Sequence, residues 1–397
     1  LQIRKAFKYR LKTSSGDESL FSRHAGCCRF FWNKALAMQK ERLADGDYCL
    51  NYESLANLLP QWKQEHPFLS EAPSQALQQV LKNQDKALKE AFDKKNPKRF
   101  PNFKKKFKSV DSFRYSQGFK FEGSRIFLPK VGWRRFINSR PVTGIAKNAI
   151  VSRRGKHWFV SIQTEFEIAV PQHPSNSIIG SDRGVKRFLT LSDGKSFEPL
   201  DGFRKMERQL AKEQRKLARK VKRSENWRKQ KERITQLHIR IADARSDYLH
   251  KISSEVSKNH AVVVLEGLQV KNMTASAKGT NEAPGKNVKQ KSGLNRSILD
   301  QGWGEFGRQL EYKQAWRGGW VLYVPAAYTS QTCSQCNHAS LGNRKSQELF
   351  VCENCGHTAN ADENAAINIE RAGHARLACQ ANGAVMPSAT GTSRIAA

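Results

Sequence analysis

Acidic residues are scarce in this chain. Asp and Glu number 36 against 69 Lys and Arg, which leaves a formal net charge of +33 over 397 residues. A balance this one-sided costs stability through self-repulsion unless an anion neutralises it. Nucleic acid is therefore the expected partner, held largely through phosphates, and a small-molecule substrate is not. Long apolar runs are missing too. None reaches the ~18 residues of a membrane span, and the opening LQIRK lacks the apolar core of a signal peptide. The expectation is a prokaryotic cytoplasmic protein at the nucleoid, with no membrane partner; the absence of an initiator Met suggests a processed or engineered start. Eight cysteines are too few to staple a chain of this length. Cys27, Cys28, Cys49 and Cys379 are scattered and are expected as reduced thiols.

What is present falls into blocks. Residues 1–12 alternate basic with apolar or aromatic side chains, as in a strand with one wet, cationic face. From about Asp17 to Phe92 the period turns helical, with Phe30, Phe31, Leu36 and Met38 on one apolar face and Tyr52, Leu55, Leu58 and Leu59 on another. A helix starting at Pro73-Ser74 carries Leu77, Val80, Leu81, Leu88 and Phe92. The stretch from Lys94 to Arg135 interleaves cations with aromatics and is broken by turns at Pro97, Pro101, Gly118, Gly123 and Pro129. Cations track a phosphate backbone and rings stack on unpaired bases, so Lys104, Lys105, Lys106, Arg114 and Tyr115 are candidate nucleic-acid contacts. Some of these rings belong instead to a core. Strands are expected at about 126–129, 141–152 and 157–168, forming a small β-barrel completed by residues 1–12.

A second pattern begins at Ile178, with a short strand, a second at 188–191, and a hairpin turn at Ser192-Asp193-Gly194. Residues 203–258 are expected as a long helical pair. Its run from Arg204 to Arg233 is densely cationic, with Arg215, Arg219 and Lys220 as candidate contacts to a duplex. A solvated helix surface is the plain alternative. Ala261 to Leu265 is a buried strand ending at Glu266. A mobile loop over 273–292, one helix over about 296–316, a strand at 320–324 and a helix opening near Asp362 follow; from Arg371 onward a small, polar, disordered tail is expected.

Two constellations carry chemistry. Cys333, Cys336, Cys352 and Cys355 form two C-x2-C knuckles separated by a 15-residue arm. Four thiolates close a tetrahedral Zn²⁺ site and leave no open position, so the ion is structural rather than catalytic. The carboxylates Asp182, Glu266 and Asp362 say less one at a time. The first suits a turn, the second a solvent-facing strand end, the third a helix cap. Their order says more. Strands with Asp in the first, helices, a strand ending in Glu, a helix, a strand and a helix opening with Asp is the element order of a ribonuclease-H-like fold. In that fold the two acid-bearing strands are neighbours and the last helix packs over their ends. Three clustered carboxylates repel one another unless hard divalent cations bind, and two Mg²⁺ ions about 4 Å apart activate water against a phosphodiester.

The segments RFPNFKKK, SFRYSQG, LPKVGW, GSDRGVKRFLTLSDG, VVVLEGLQVKNM, QGWGEFGRQLEYKQAW, TSQTCSQC…CENCG and NADENAAINI together resemble the TnpB (OrfB) family of transposon-encoded, RNA-guided DNA endonucleases related to type V CRISPR effectors. The resemblance implies an α/β multidomain protein: a wedge barrel in two parts (1–14 and 123–175), a helical recognition domain (15–122), a RuvC-like nuclease (176–327 and 358–371), a zinc ribbon (328–357) and a tail (372–397). It implies Asp182, Glu266 and Asp362 as RuvC-like catalytic, Mg²⁺-binding carboxylates, a guide RNA derived from the transposon end, and target double-stranded DNA cut beside a short motif. A guided repressor that binds without cutting and a DNA transposase are the alternatives. Ser181 and Arg183 depart from the apolar residues usual around the first Asp. Asn337 replaces a common Gly, and Asn also tolerates the left-handed conformation needed there.

Overall fold

The computed structural model describes residues 1–95, 98–106, 108–200, 202–280 and 282–381, with backbone alone at 202–205 and 380–381. The expected turn at Pro97, the side chains of Arg204 and Lys205, and the last sixteen residues of the tail (382–397) lie outside that description. The chain divides into two compact units, at Ala169/Val170. Among the described residues no helix is long and apolar enough to cross a membrane.

The first unit opens with strand β1 (Gln2–Arg10), whose alternation buries Ile3, Phe7 and Tyr9. Helix α1 (Ser15–Ala44) starts at a capping box in which Ser14 and Asp17 satisfy each other's backbone N–H groups. Short helices α2 (Tyr52–Asn57) and α3 (Leu59–Glu65) lead to α4 (Ser74–Ala91), which buries Leu77, Val80, Leu81 and Leu88 as their spacing predicts. Strands β2 (Ser112–Tyr115), β3 (Lys120–Glu122), β4 (Arg125–Leu128), β5 (Gly132–Arg135), β6 (Ile145–Arg154) and β7 (His157–Glu167) follow. They form two antiparallel sheets, ordered β1-β7-β6-β2 and β3-β4-β5. β1 pairs along its whole length with β7, from Gln2↔Glu167 to Arg10↔Phe159. The expected helical segment 15–122 is corrected at its end: residues 112–115 and 120–122 are strands, and β2 is an edge of the larger sheet because Phe113 and Tyr115 alternate into the core beside Phe21 and Trp158.

The second unit holds one five-stranded sheet. Its strands are β8 (Ile178–Asp182), β9 (Leu189–Leu191), β10 (Ser196–Phe197), β11 (Val262–Glu266) and β12 (Trp320–Val324), ordered β10-β9-β8-β11-β12. β11 lies parallel to both neighbours and all five of its residues are buried, as a central strand requires. Helices α5 (Gly202–Ala218) and α6 (Glu225–Asn259) form the expected pair, closed on a small core of Leu210, Ile234, Leu237 and Ile241. After α7 (Val270–Met273), the helix expected over 296–316 is two helices, α8 (Val288–Gln301) and α9 (Trp303–Arg317). They break at Gly302, φ +71°, a left-handed residue that ends one helix and starts the next. The expected loop over 273–292 is correspondingly shorter, since α8 begins at Val288. Strands β13 (Leu349–Val351) and β14 (Thr358–Asn360) flank the second cysteine knuckle. Helix α10 (Ala361–Ala381) corrects the tail, for it continues ten residues past Arg371, into the stretch that composition marks for disorder.

Helix α10 lies directly on the sheet. A Cβ at Gly180 would stand 2.0 Å from the Ala366 carbonyl oxygen, and one at Gly373 would stand 2.4 Å from Val264 Cγ2. Glycine is what lets backbone meet backbone at Gly180 and the Val264 side chain meet the helix at Gly373.

Candidate metal centres and nucleic-acid contacts

Asp182 is the last residue of β8 and Glu266 the last of β11. Their parallel register, Ile178↔Val262 through Ser181↔Leu265, brings both acids to the same end of adjacent strands. Asp362 lies in the first turn of α10, where the N-terminal end of a helix favours an anion. Burial pushes the Asp182 carboxyl up to about 7, and the negative charges of Glu266 and Asp362 push in the same direction. Glu266, 7% exposed, is raised mainly by burial, against the hydrogen bond its Oε1 accepts from Thr329 Oγ1 at 2.6 Å. Asp182 thus feels the charge of both other acids, although the three are spread more widely than the cysteine sulfurs described below.

Two arginines balance this charge. Arg183, 8% exposed, donates through its guanidinium to the Glu266 backbone carbonyl and so ties the ends of β8 and β11 together. Arg344, from the loop between the knuckles, donates to Asp362 Oδ1 at 3.3 Å. Sequence reasoning misses both Arg344 and Thr329, because each meets its acid only through the fold. The same holds for Asn364 and Asn368. One turn apart on α10, they hold the start of the cysteine insert: Asn364 donates to Thr332 O at 2.8 Å and accepts from Ser334 N at 2.9 Å, and Asn368 donates to Thr329 O at 2.9 Å and Thr332 O at 2.7 Å. The i, i+4 spacing of two Asn beside Asp362 is the signal that could have found them.

The four cysteines form the metal-capable group found among the described residues, with their sulfurs within 4.8 Å of one another. Cys333 and Cys355 Sγ are 3.7 Å apart, and Cys336 and Cys352 Sγ 3.6 Å. Thiolates ~2.3 Å from one tetrahedral zinc ion stand about 3.8 Å from each other, so the quartet fits zinc. The knuckles match each other. The backbone N–H of Cys333 donates to His338 O and that of Cys352 to His357 O, each at 2.9 Å; Asn337 (φ +61°) and Gly356 (φ +73°) take the equivalent left-handed turns. The backbone near His338 lowers the Cys336 thiol, while that of Cys355 is raised, the pull of the backbone near His357 being outweighed by the neighbouring sulfurs.

The candidate nucleic-acid contacts separate by exposure. Lys105, Lys106, Arg215 and Arg219 are exposed, and Lys220 is half-buried. Lys104 is half-buried, with Nζ 3.9 Å from the centroid of the Trp32 ring. Arg114 is half-buried, its Nε without a partner. Tyr115 is fully buried, its ring edge-on to Phe113 and its hydroxyl donating to Pro129 O at 3.2 Å. It is a core residue, and its ring has no face open for a base. Of the rings between Lys94 and Arg135, Phe103 and Trp133 are the large exposed ones among the described residues.

Three family models match the chain: Cas12f1-like, TNB domain over residues 303–369, a "Probable transposase" of the OrfB/IS605 type over 160–277, and a "Helix-turn-helix domain" of the same type over 3–47. In this structure the last of these segments is β1 followed by one uninterrupted helix, α1. "Putative RNA-guided DNA endonuclease InsQ" of Escherichia coli (strain K12) is 53% identical, over 94% of this chain and 93% of that protein. A protein of Streptomyces pristinaespiralis carrying the same description is 32% identical over 95% and 91%. Among solved structures, Cas12f1 in complex with sgRNA and target DNA is 18% identical, with 93% of this chain and 99% of that one covered and a TM-score of 0.35. With a relative 53% identical over nearly the whole of both chains, this protein belongs to the TnpB (OrfB, IS605-type) family.

Proposed function

We propose that this protein is an RNA-guided DNA endonuclease of a transposon, with a guide RNA from the transposon end and double-stranded DNA as its target. Cutting takes place beside a short motif, in a RuvC-like, ribonuclease-H-like domain preceded by a wedge barrel and a helical recognition domain. The observation that carries the reading is the meeting of Asp182 and Glu266 at one end of the parallel pair β8–β11, with the negative charge of Asp362 raising Asp182 alongside that of Glu266. The names of the InsQ and Streptomyces relatives support the same activity.

Hard oxygen donors that repel one another suit Mg²⁺, and a spread wider than a single chelate suits two ions. Asp182, Glu266 and Asp362 would hold them. Bound divalent cations supply charge neutralisation at the carboxylates and at the phosphate under attack. The chain's own residues prepare that site. Thr329 fixes one oxygen of Glu266, Arg183 fixes the strand that bears it, and Arg344 places a cation beside Asp362. Cys333, Cys336, Cys352 and Cys355 would hold zinc as a structural ion, because four thiolates leave it no open position.

The test is cleavage by the purified protein with its guide RNA. Wild type is expected to break a matched DNA duplex only with Mg²⁺, whereas Asp182→Asn, Glu266→Gln and Asp362→Asn each bind it and leave it intact. Tight guided binding by wild type without breakage would make the protein a repressor, and joining of DNA ends would make it a transposase. Near-normal cutting by any one variant would remove that acid from the site.

A further inference from the structure

Tyr328 is held in a conformation that a tyrosine rarely adopts. It lies in the turn after β12 with φ +65°, in the left-handed region, and its side chain is 69% exposed. A bulky L-residue is strained there and glycine is not. The turn enforces the geometry: the Tyr328 carbonyl accepts hydrogen bonds from the backbone N–H groups of Gln331 and Thr332, both at 3.0 Å, and from Thr332 Oγ1 at 2.9 Å. Among the described residues the ring itself has no hydrogen bond and stacks on no other ring. Neither packing nor backbone preference accounts for an aromatic at this position. Its neighbour in the chain, Thr329, is the residue whose hydroxyl holds Glu266.

We propose that the Tyr328 ring is a stacking surface for an unpaired base of the DNA strand presented to the carboxylates. Strain kept at a surface turn points to function when nothing in the fold offsets it. An open aromatic one residue before Thr329, the residue that holds Glu266, matches how single strands are held, by rings on which any base can stack. Tolerance of every base also suits a protein whose target choice comes from guide pairing. This assignment rests on the function proposed above and names the part of the substrate that Tyr328 touches.

The test compares the full-length protein, loaded with guide RNA, as wild type, Tyr328→Phe, Tyr328→Ala and Tyr328→Gly. Phe keeps the ring and should cleave at the wild-type rate. Gly should be more stable to heat than Ala, since only Gly meets φ +65° freely, yet both should cleave roughly tenfold more slowly through loss of stacking. Equal rates from two variants of unequal stability exclude a folding defect. DNA lacking the base on either side of the cut should slow wild type to the rate of the Gly variant and slow the Gly variant no further. Wild-type cleavage by Tyr328→Gly, or equal slowing of both proteins by the missing base, overturns the assignment. Failure of wild type to cut any guided target instead overturns the proposed function, and the role of Tyr328 falls with it.

Discussion

Thr329 sets the direction of Glu266. The carboxylate has two oxygens, and the 2.6 Å hydrogen bond to Oε1 commits one of them, leaving the other to face the proposed cations. A hydrogen bond to a charged group contributes about 1.5–3 kcal/mol, so its loss is worth tenfold or more in rate where it orients a reacting site. Thr329→Val should therefore cut roughly tenfold more slowly while binding guided DNA as wild type does, and Thr329→Ser should recover most of the rate. Single-turnover cleavage beside a binding titration checks it; wild-type cutting by the Val variant would mean that Glu266 orients itself. Residues of this kind mark the limit of sequence reasoning. Asp182 and Glu266 are legible because each closes a strand whose apolar run announces it. Thr329 and Arg344 are not, since a hydroxyl and a cation in a loop look alike wherever they point. Tyr115 misleads for the opposite reason. Its place in a strand, sharing the buried face with Phe113 while Arg114 points the other way, is masked by the basic and aromatic residues around it.

Between α6 and α9 runs a polar seam with an unusual member. Lys313, 6% exposed, donates to His250 O at 2.8 Å, Ser253 Oγ at 2.6 Å and Ser254 Oγ at 2.8 Å. Burial lowers its pKa to about 8, with the nearby charge of Arg317 acting in the same direction. Among the described residues no carboxylate pairs with it directly; Asp247, His250, Glu305, Arg308, Tyr312 and Arg317 are the other charged or titratable groups along the seam. A lysine whose folded pKa lies below its unfolded value destabilises the fold while charged. That cost is fully present below about pH 8 and fades as pH rises towards 10.5, where the unfolded chain also loses its proton. Wild type should thus gain on the order of 1–2 kcal/mol relative to Lys313→Met between about pH 7 and about pH 9.5. Thermal unfolding of the two proteins side by side reads it, and a constant difference across that range would show that Lys313 does not titrate there. The histidine does not confuse the comparison, because burial lowers its pKa from 6.5, below the window. At this scale the chain is largely legible. The paired helices and the central strand follow from their apolar patterns. The break at Gly302 is not legible, because an isolated glycine inside a helical pattern is usually tolerated. Nor is the continuation of α10, whose last turns are built from small and polar residues that carry little period of their own.

At the scale of the whole molecule the controlling quantity is the charge of +33. The structure gives no internal answer to it: many of the acids present are engaged in local pairs such as Arg29–Asp111, Arg134–Asp17 and Arg245–Asp300, leaving a large surplus of cations facing solvent. A polyanion resolves the excess by releasing counterions as phosphates are neutralised, and this makes binding fall steeply with salt. The basic stretch around residues 104–106 is a place to measure that contribution. Lys104 is a poor choice, because its position over Trp32 mixes packing with charge. Lys105 and Lys106 are exposed and serve better. Replacing both with Ala should weaken the protein's hold on guide RNA at every sequence tested. The slope of log affinity against log salt should also fall, by about one unit for each phosphate the protein no longer neutralises. The DNA site that is cut should stay the same, because pairing with the guide makes that choice. A filter-binding series across salt concentrations, with cleavage-site mapping beside it, separates three outcomes. A smaller slope with an unchanged cut site places these lysines on the phosphate backbone. A changed motif beside the cut site would place them against bases, and an unchanged slope would leave them as solvated surface.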